Sequence, residues 1–349
     1  MADFTTYELW DTHTSLEVIR ETNTIPSYWL DLLFPNQVNS DDEYIDFEKI
    51  PRAGRKLAPF VAPMAQGRAI YEEGSSVGRF KPAYVKPSDP VSPLRALRRR
   101  PGSLLGPDSS SLAARYEAVK VDILAHHRSA IERRWEWLAA RAAIDGKVTI
   151  DGPDYPAVEV DFGRAPAHTV VKTAGARWGE AGVSILGDLR TWSNTMHLAK
   201  FGGRPNRLTV GVDVWAVMQR DPELKDLLDL RYRGSDALIR RDVISIDEAR
   251  YVGQIDDLEI WVYNDFYTVG GVVTPFMSSK DIVLSSPAVD GYRCFGAIID
   301  SRANFQALEI FPLNLPPTGD VGLEQVVPQS APLMVPVNPN ATFKATVVP

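Results

Sequence analysis

Cysteine is all but missing: the chain has one, Cys294, in 349 residues. This excludes an internal disulfide framework and any zinc site built from several cysteines. The lone thiol falls in the apolar stretch Tyr292–Ile299, where a buried, inert cysteine is expected rather than a nucleophile. Long hydrophobic runs are missing too. Nothing approaches the ~18 consecutive apolar residues of a membrane span, so no membrane association is expected. Residues 1–20 carry Asp3, Glu8, Asp11 and Glu17 with no apolar core between them, so no secretory leader is expected either. Net positive charge, the usual mark of a protein that grips nucleic acid, is absent: the formal charge is −7. Mild acidity suits a surface that lies near nucleic acid without adhering to it.

Catalytic patterns are equally scarce. There is no phosphate-binding loop, no dinucleotide-type glycine pattern, no zinc-ligand helix and no calcium loop. Gly74-Ser75-Ser76-Val77-Gly78 matches the serine-hydrolase pattern G-x-S-x-G by letter. That motif works only on a strand-to-helix turn. Arg79-Phe80-Lys81-Pro82 follows and cannot open such a helix, so a hairpin tip is expected and a hydrolase using Ser76 stays a remote alternative. His126 and His127 are neighbours on a helical stretch, pointing about 100° apart, and cannot share one metal as an i, i+4 pair does. His13, His168 and His197 have no partner at ligand spacing. No metal, cofactor or catalytic residue is expected.

What the chain does have is proline: 26 residues, about 7% against a usual ~5%. They crowd into Pro26–Pro107 and Pro312–Pro349, so the middle of the chain reads as its compact part and the ends as extended arms. Residues 1–50 mix Trp10, Tyr28, Trp29 and Phe34 with the acidic patch Asp41, Asp42, Glu43, Asp46 and Glu48. A short helix near Thr5–Leu9 and a mostly extended arm beyond it are expected, with the aromatics docking onto another surface. Residues 51–94 hold three stretches of strand character, Leu57–Met64, Gln66–Tyr71 and Arg79–Lys86, punctuated by Gly and Pro. They read as a long β-hairpin with too few apolar residues for a core of its own. An isolated hairpin is marginal in water, so this one needs a partner surface.

Arg79–Arg100 carries seven basic residues against one acid, Asp89. A solvated linker, a contact with an acidic surface on a neighbouring copy, and a nucleic-acid contact all remain open there. From Leu112 the period changes: Leu112, Tyr116, Val119, Ile123, Ile131, Trp135 and Leu138 recur at three-to-four spacing. The pattern predicts an amphipathic helix within about 108–145, some 40 Å long over Leu112–Leu138. Pro107 and Asp108–Ser111 start it and Gly146 stops it. A strand at Val158–Phe162 comes next. Helices at Leu189–Phe201 and near Trp215–Leu230, with strands at Leu208–Val212, Leu258–Tyr263, Ile282–Leu284, Tyr292–Ile298 and Ala331–Val337, complete an α+β pattern.

Four stretches carry a resemblance. They are Val61-Ala62-Pro63-Met64-Ala65-Gln66-Gly67, Phe80-Lys81-Pro82-Ala83-Tyr84-Val85-Lys86-Pro87, Val158-Glu159-Val160-Asp161-Phe162-Gly163-Arg164 and Gln329-Ser330-Ala331-Pro332-Leu333-Met334. In this order, with the long helix between the second and third, they resemble the lambda-type major capsid protein family of tailed bacteriophages. The resemblance implies the Hong Kong 97-type shell fold. It would comprise an N-terminal arm (1–50), an extended hairpin or E-loop (51–94), a peripheral domain with the spine helix (95–184), an axial domain (185–315) and a C-terminal segment returning to the peripheral domain (316–349). It also implies a structural, non-enzymatic subunit that forms pentamers and hexamers of an icosahedral head around double-stranded DNA, with no sequence-specific DNA contact. Scaffold and portal proteins during assembly, a cementing protein on the finished head, assembly in the bacterial cytoplasm and a final place in the virion are implied likewise. An encapsulin-like compartment shares the fold and is the alternative. Expected inter-subunit contacts are Arg68, Tyr71, Arg79, Phe80, Lys81, Tyr84 and Lys86 on the hairpin, and Asp41, Asp42 and Glu43 on the arm.

Overall fold

The computed structural model describes residues 10–21, 24–42, 44–49, 76–97, 112–152, 155–224, 245–246, 249–318 and 322–349. Its axis is a 34-residue helix, Leu112–Asp145, about 51 Å long at 1.5 Å per residue. It fills the expected range to its end, Ala139, Ala140, Ala142 and Ala143 continuing it beyond Leu138, and all four are buried. Small side chains keep helix propensity high and let neighbouring strands come close. Gly146, at φ +69°, supplies the left-handed residue on which the helix ends. Arg164 then donates to the carbonyls of Ala143 (3.1 Å) and Ile144 (2.8 Å), two of the acceptors a helix end leaves open. Burial holds the Arg164 pKa down at about 10.

Helices are labelled α1 (Thr12–Glu21), α2 (Trp29–Leu33), α3 (Pro93–Leu97), α4 (the long helix), α5 (Ile185–Leu198) and α6 (Val212–Met218). The expected start of α5 at Leu189 moves back to Ile185 because Ser184 caps it, accepting from Gly187 N–H at 3.0 Å. α6 opens at Val212, so the strand expected to reach Val212 stops at Val210.

The largest sheet has seven strands in the order Thr169–Val171, Thr342–Thr346, Asp281–Ser285, Arg207–Val210, Leu258–Tyr263, Ala249–Ile255, Ser245–Ile246. Period-two alternation sends its side chains into two cores. Leu208, Val210, Ile260, Val262, Ile282 and Leu284 pack on the side of α5 and α6. Trp261, Tyr263 and Val283 point the other way, into the core around α4. A sheet covered on both faces explains why Leu258–Tyr263 and Asp281–Ser285 are nearly continuous apolar runs. On the α4 side a smaller sheet places Gly291–Phe295 between Asn36–Asn39 (parallel) and Pro332–Pro336 (antiparallel).

The sequence ranges interleave across these layers. Gly291–Phe295, inside the 185–315 range, pairs with Pro332–Pro336 beside α4, whereas Thr342–Thr346, inside 316–349, lies within the seven-stranded sheet. Long-range pairing of this kind leaves no local signal. The arm corrects its expectation as well. It is not mostly extended: it carries α1, α2 and the strand Asn36–Asn39, all packed on the body of the chain. The helix expected at Thr5–Leu9 lies outside the described residues.

Candidate functional site

The arm is fixed by one stripe of α4. Arg128, Glu132 and Glu136 stand at i, i+4 and i+8 and so share a face. Arg128 bonds the Ile19 carbonyl at the end of α1 and pairs with Glu132 at 2.7 Å. Glu132 accepts from Ile25 N–H at 2.9 Å. The Glu136 carboxylate accepts three backbone N–H groups at the start of α2: Tyr28 at 3.2 Å, Trp29 at 2.8 Å and Leu30 at 2.9 Å. Tyr28, the N-cap residue of α2, makes no side-chain cap; Glu136 does so from 106 to 108 residues away. Tyr28 then reaches across to the large sheet, where its hydroxyl and Thr209 Oγ1 lie 2.8 Å apart. Its ring packs among Trp29, Trp261 and Tyr263, and burial pushes its pKa up to about 12.

Burial raises the Glu136 pKa from 4.5 to about 7, against the opposing pull of the backbone N–H groups. The docked arm therefore binds a proton that the unfolded chain releases above pH 4.5. Folding stability from this group is full below that pH, falls as pH rises to about 7, and is level above it, a total change of about 3 kcal/mol. Urea melts of the chain and of Glu136→Gln across pH 4.5–8 check this: the wild type is expected to lose stability with rising pH relative to the variant. Parallel profiles would remove Glu136 as the titrating group.

The hairpin begins earlier than expected. Its outgoing strand is Ile45–Lys49, in the range read as arm, paired antiparallel with Ser76–Phe80. The strands expected at Leu57–Met64 and Gln66–Tyr71 lie outside the described residues, as do the contact candidates Arg68, Tyr71 and Glu43. Ser76 opens an antiparallel strand opposite Lys49, not a strand-to-helix turn, so the hydrolase pattern lacks the geometry it requires. The strand expected to run to Lys86 stops at Phe80, because Pro82 has no N–H to give a ladder.

Arg79, an expected inter-subunit contact, pairs fork-to-fork with Asp46 across its own hairpin, at 2.8 and 2.9 Å, and holds that carboxyl below its ordinary pKa. Arg79 and Lys81 also lie over the Tyr44 ring at 5.8 and 6.0 Å. Phe80 turns inward and packs edge-on against Phe162 at 5.6 Å. Tyr84 bonds the Gln329 side chain, and Val85 forms a two-way bridge with Ser330, tying the second resembling stretch to the fourth. Lys86, Asp41 and Asp42 are exposed, although Asp41 accepts from Ala307 N–H at 3.0 Å. Downstream, Asp89–Val91 pairs with Leu323–Val326, and Asp89 lies 2.8 Å from His127 of α4. The hairpin is thus rooted on α4 at its base.

Cys294 is fully buried, its thiol pKa pushed up to about 12, as expected of an inert core cysteine. Among the described residues no group of His, Cys, Asp or Glu is placed to hold a metal ion, and no helix is long and apolar enough to cross a membrane.

The family model for phage major capsid protein E matches residues 11–347. The chain belongs to that family. The major capsid protein of Escherichia phage lambda is 30% identical over 295 residues, 81% of this chain and 83% of the relative. That of Enterobacteria phage P21 is 28% identical over 324 residues, 89% of this chain and 91% of the relative. A crystal structure described as the capsid protein of an Escherichia coli CFT073 prophage superposes with a TM-score of 0.74 at 21% identity, covering 97% of this chain and 99% of that one. The fold is therefore α+β of the Hong Kong 97 capsid type.

Proposed function

We propose that this chain is the repeating structural subunit of an icosahedral phage head, built as pentamers and hexamers around double-stranded DNA, and that none of its residues is catalytic. Lambda-family membership supports the phage head over an encapsulin-like compartment. The observation that carries the reading is the hairpin. Ile45–Lys49 and Ser76–Phe80 form a sheet of only two strands among the described residues, rooted by Asp89 and His127 to α4. Ile45 and Phe80 seat its base on the chain's own core, and the residues it leaves exposed are read as completed by a neighbouring subunit. Arg68, Tyr71, Arg79, Phe80, Lys81, Tyr84 and Lys86 are the hairpin residues offered to that neighbour, and Asp41, Asp42 and Glu43 those offered from the arm; Arg79 and Phe80 also hold the hairpin base. The peripheral unit is centred on α4 and the axial unit on the seven-stranded sheet. Scaffold and portal proteins act in assembly in the host cytoplasm, a cementing protein binds the finished head, and DNA is enclosed without sequence-specific contact. Each inter-subunit contact is modest, and closed symmetry multiplies it.

Shortening the segment between Gly67 and Gly78 is expected to leave a soluble subunit with unchanged circular dichroism that fails to form stable shells in electron micrographs. Normal shells from the shortened chain, or an unfolded subunit, would refute the inter-subunit role. Reversing the charge of Lys81 and Lys86 together is expected to weaken assembly most at low salt, where screening is least. Equal assembly yields of variant and wild type at all salt concentrations would mean these lysines face no acidic partner.

A further inference from the structure

A second two-stranded ribbon, far from the first in sequence, carries an apolar surface that none of the described residues covers. Phe266–Val269 pairs antiparallel with Val272–Pro275 through the two-residue turn Gly270-Gly271. Both glycines have positive φ, +58° and +81°, as the tight primed hairpin turn demands. A Cβ on either would meet nothing within 4 Å, so the tip stands in open space. The base is held firmly. Arg133 of α4 bonds the Phe266 carbonyl at 3.1 Å and pairs with Asp265 at 3.4 Å, while Tyr267 packs on Phe276 with ring centroids 5.0 Å apart.

The register sorts the ribbon into two faces. Tyr267 and Thr274 form the half-buried inner pair. Phe266, Pro275, Thr268 and Val273 make up the other face, and all four are exposed. At the tip Val269 and Val272 emerge beyond the packed pair. Phe266, Val269, Val272 and Val273 are 56%, 56%, 65% and 61% exposed. Phe266 and Val273 share one face and Val269 and Val272 the other, so the tip exposes apolar side chains on both sides.

Free ribbon edges are normally protected by charges, a bulge or a covering element. Here Phe266–Ser279 is fourteen residues without one charged side chain. The same feature selects the occupant. With no cation the ribbon has nothing to offer phosphate, which dominates nucleic-acid binding. Spread over two faces, this apolar area is well under the ~800 Å² that each partner contributes to a stable free-standing complex. A contact of this size holds only where symmetry repeats it, and this chain is the component whose repetition makes the closed shell.

We infer that the ribbon Phe266–Pro275 is a second inter-subunit contact, docking on another copy of this chain in the assembled shell. The inference rests on the shell reading but not on the first hairpin. The test uses the full chain and two variants. Val269→Lys/Val272→Lys places charges on exposed positions, so its melting temperature is expected to match wild type while its yield of shells falls at least tenfold. In the second, Val272→Cys carries a thiol-linked photo-crosslinker; Cys294 is buried and does not compete. Irradiated shells are expected to yield a species of two copies of this chain, with the link mapped by mass spectrometry. Shells formed at wild-type yield by the double-lysine variant, or crosslinks confined to one copy, to DNA or to a different protein, would overturn the contact while leaving the shell reading in place. A wild-type chain that forms no shells under the same conditions would overturn both.

Discussion

Trp135→Ala is expected to cost about 3–5 kcal/mol of folding stability, the range for truncating a buried aromatic. Trp135 is 8% exposed and meets Phe295 edge-to-face with ring centroids 5.1 Å apart. Phe295 ends the central strand of the small sheet, between the arm strand Asn36–Asn39 and Pro332–Pro336. One ring therefore joins α4 to both terminal parts of the chain. The alanine variant leaves a void that helix and sheet cannot both move to fill, because α4 is pinned by Glu136 on one side and Arg164 at its end. Denaturant unfolding of the subunit measures the loss. A change below about 1 kcal/mol, the scale of surface substitutions, would mean the indole does not carry the joint. Trp135→Phe keeps an edge-to-face partner and is expected to recover most of the difference.

Much of this was legible because it is periodic. Val119, Ile123, Ile131, Trp135 and Leu138 recur at helical spacing, and all five are buried. Leu258–Tyr263 was readable to the residue, since a six-residue run rich in β-branched and aromatic side chains favours a strand over a helix. The stretch ending Gly163-Arg164 stands out in the sequence for its resemblance; the structure supplies the reason, an arginine that closes α4. The hidden features depend on partners far away in sequence. Glu136 looks like any polar residue on a helix, and only the fold shows three N–H groups of α2 converging on it. The pairing of Arg79 with Asp46 was hidden by placing the arm boundary at residue 50, which separated the two strands of one hairpin. The second ribbon did leave a signal: Val269-Gly270-Gly271-Val272 is a Gly-Gly hairpin turn between β-branched residues.

The other large effect lies at the opposite end of α4. Lys120 and Glu324 form an ion pair at 3.0 Å with both side chains fully buried. Tyr116 adds a hydroxyl to the same carboxylate at 3.2 Å, and Lys120 lies over the rings of Trp10 and Tyr116 at 5.3 and 5.1 Å. Taking two charges out of water is costly, and their attraction does little more than offset it, so the pair matters most when one partner is lost. Lys120→Met removes the 3.0 Å cation from the buried Glu324 carboxylate and is expected to cost about 3–5 kcal/mol. Lys120→Met/Glu324→Leu removes the carboxylate as well and is expected to return most of that loss. A double-mutant cycle by denaturant unfolding gives the coupling directly, and additive losses would mean the two charges do not depend on each other. The position gives the pair a second consequence. Glu324 sits on the strand that pairs with Asp89–Val91, the stretch that leads out of the first hairpin. Breaking the pair should loosen that strand from α4 and free the hairpin base. The single variant is therefore expected to lose shell assembly under conditions where the subunit is still folded, and the double variant to regain both.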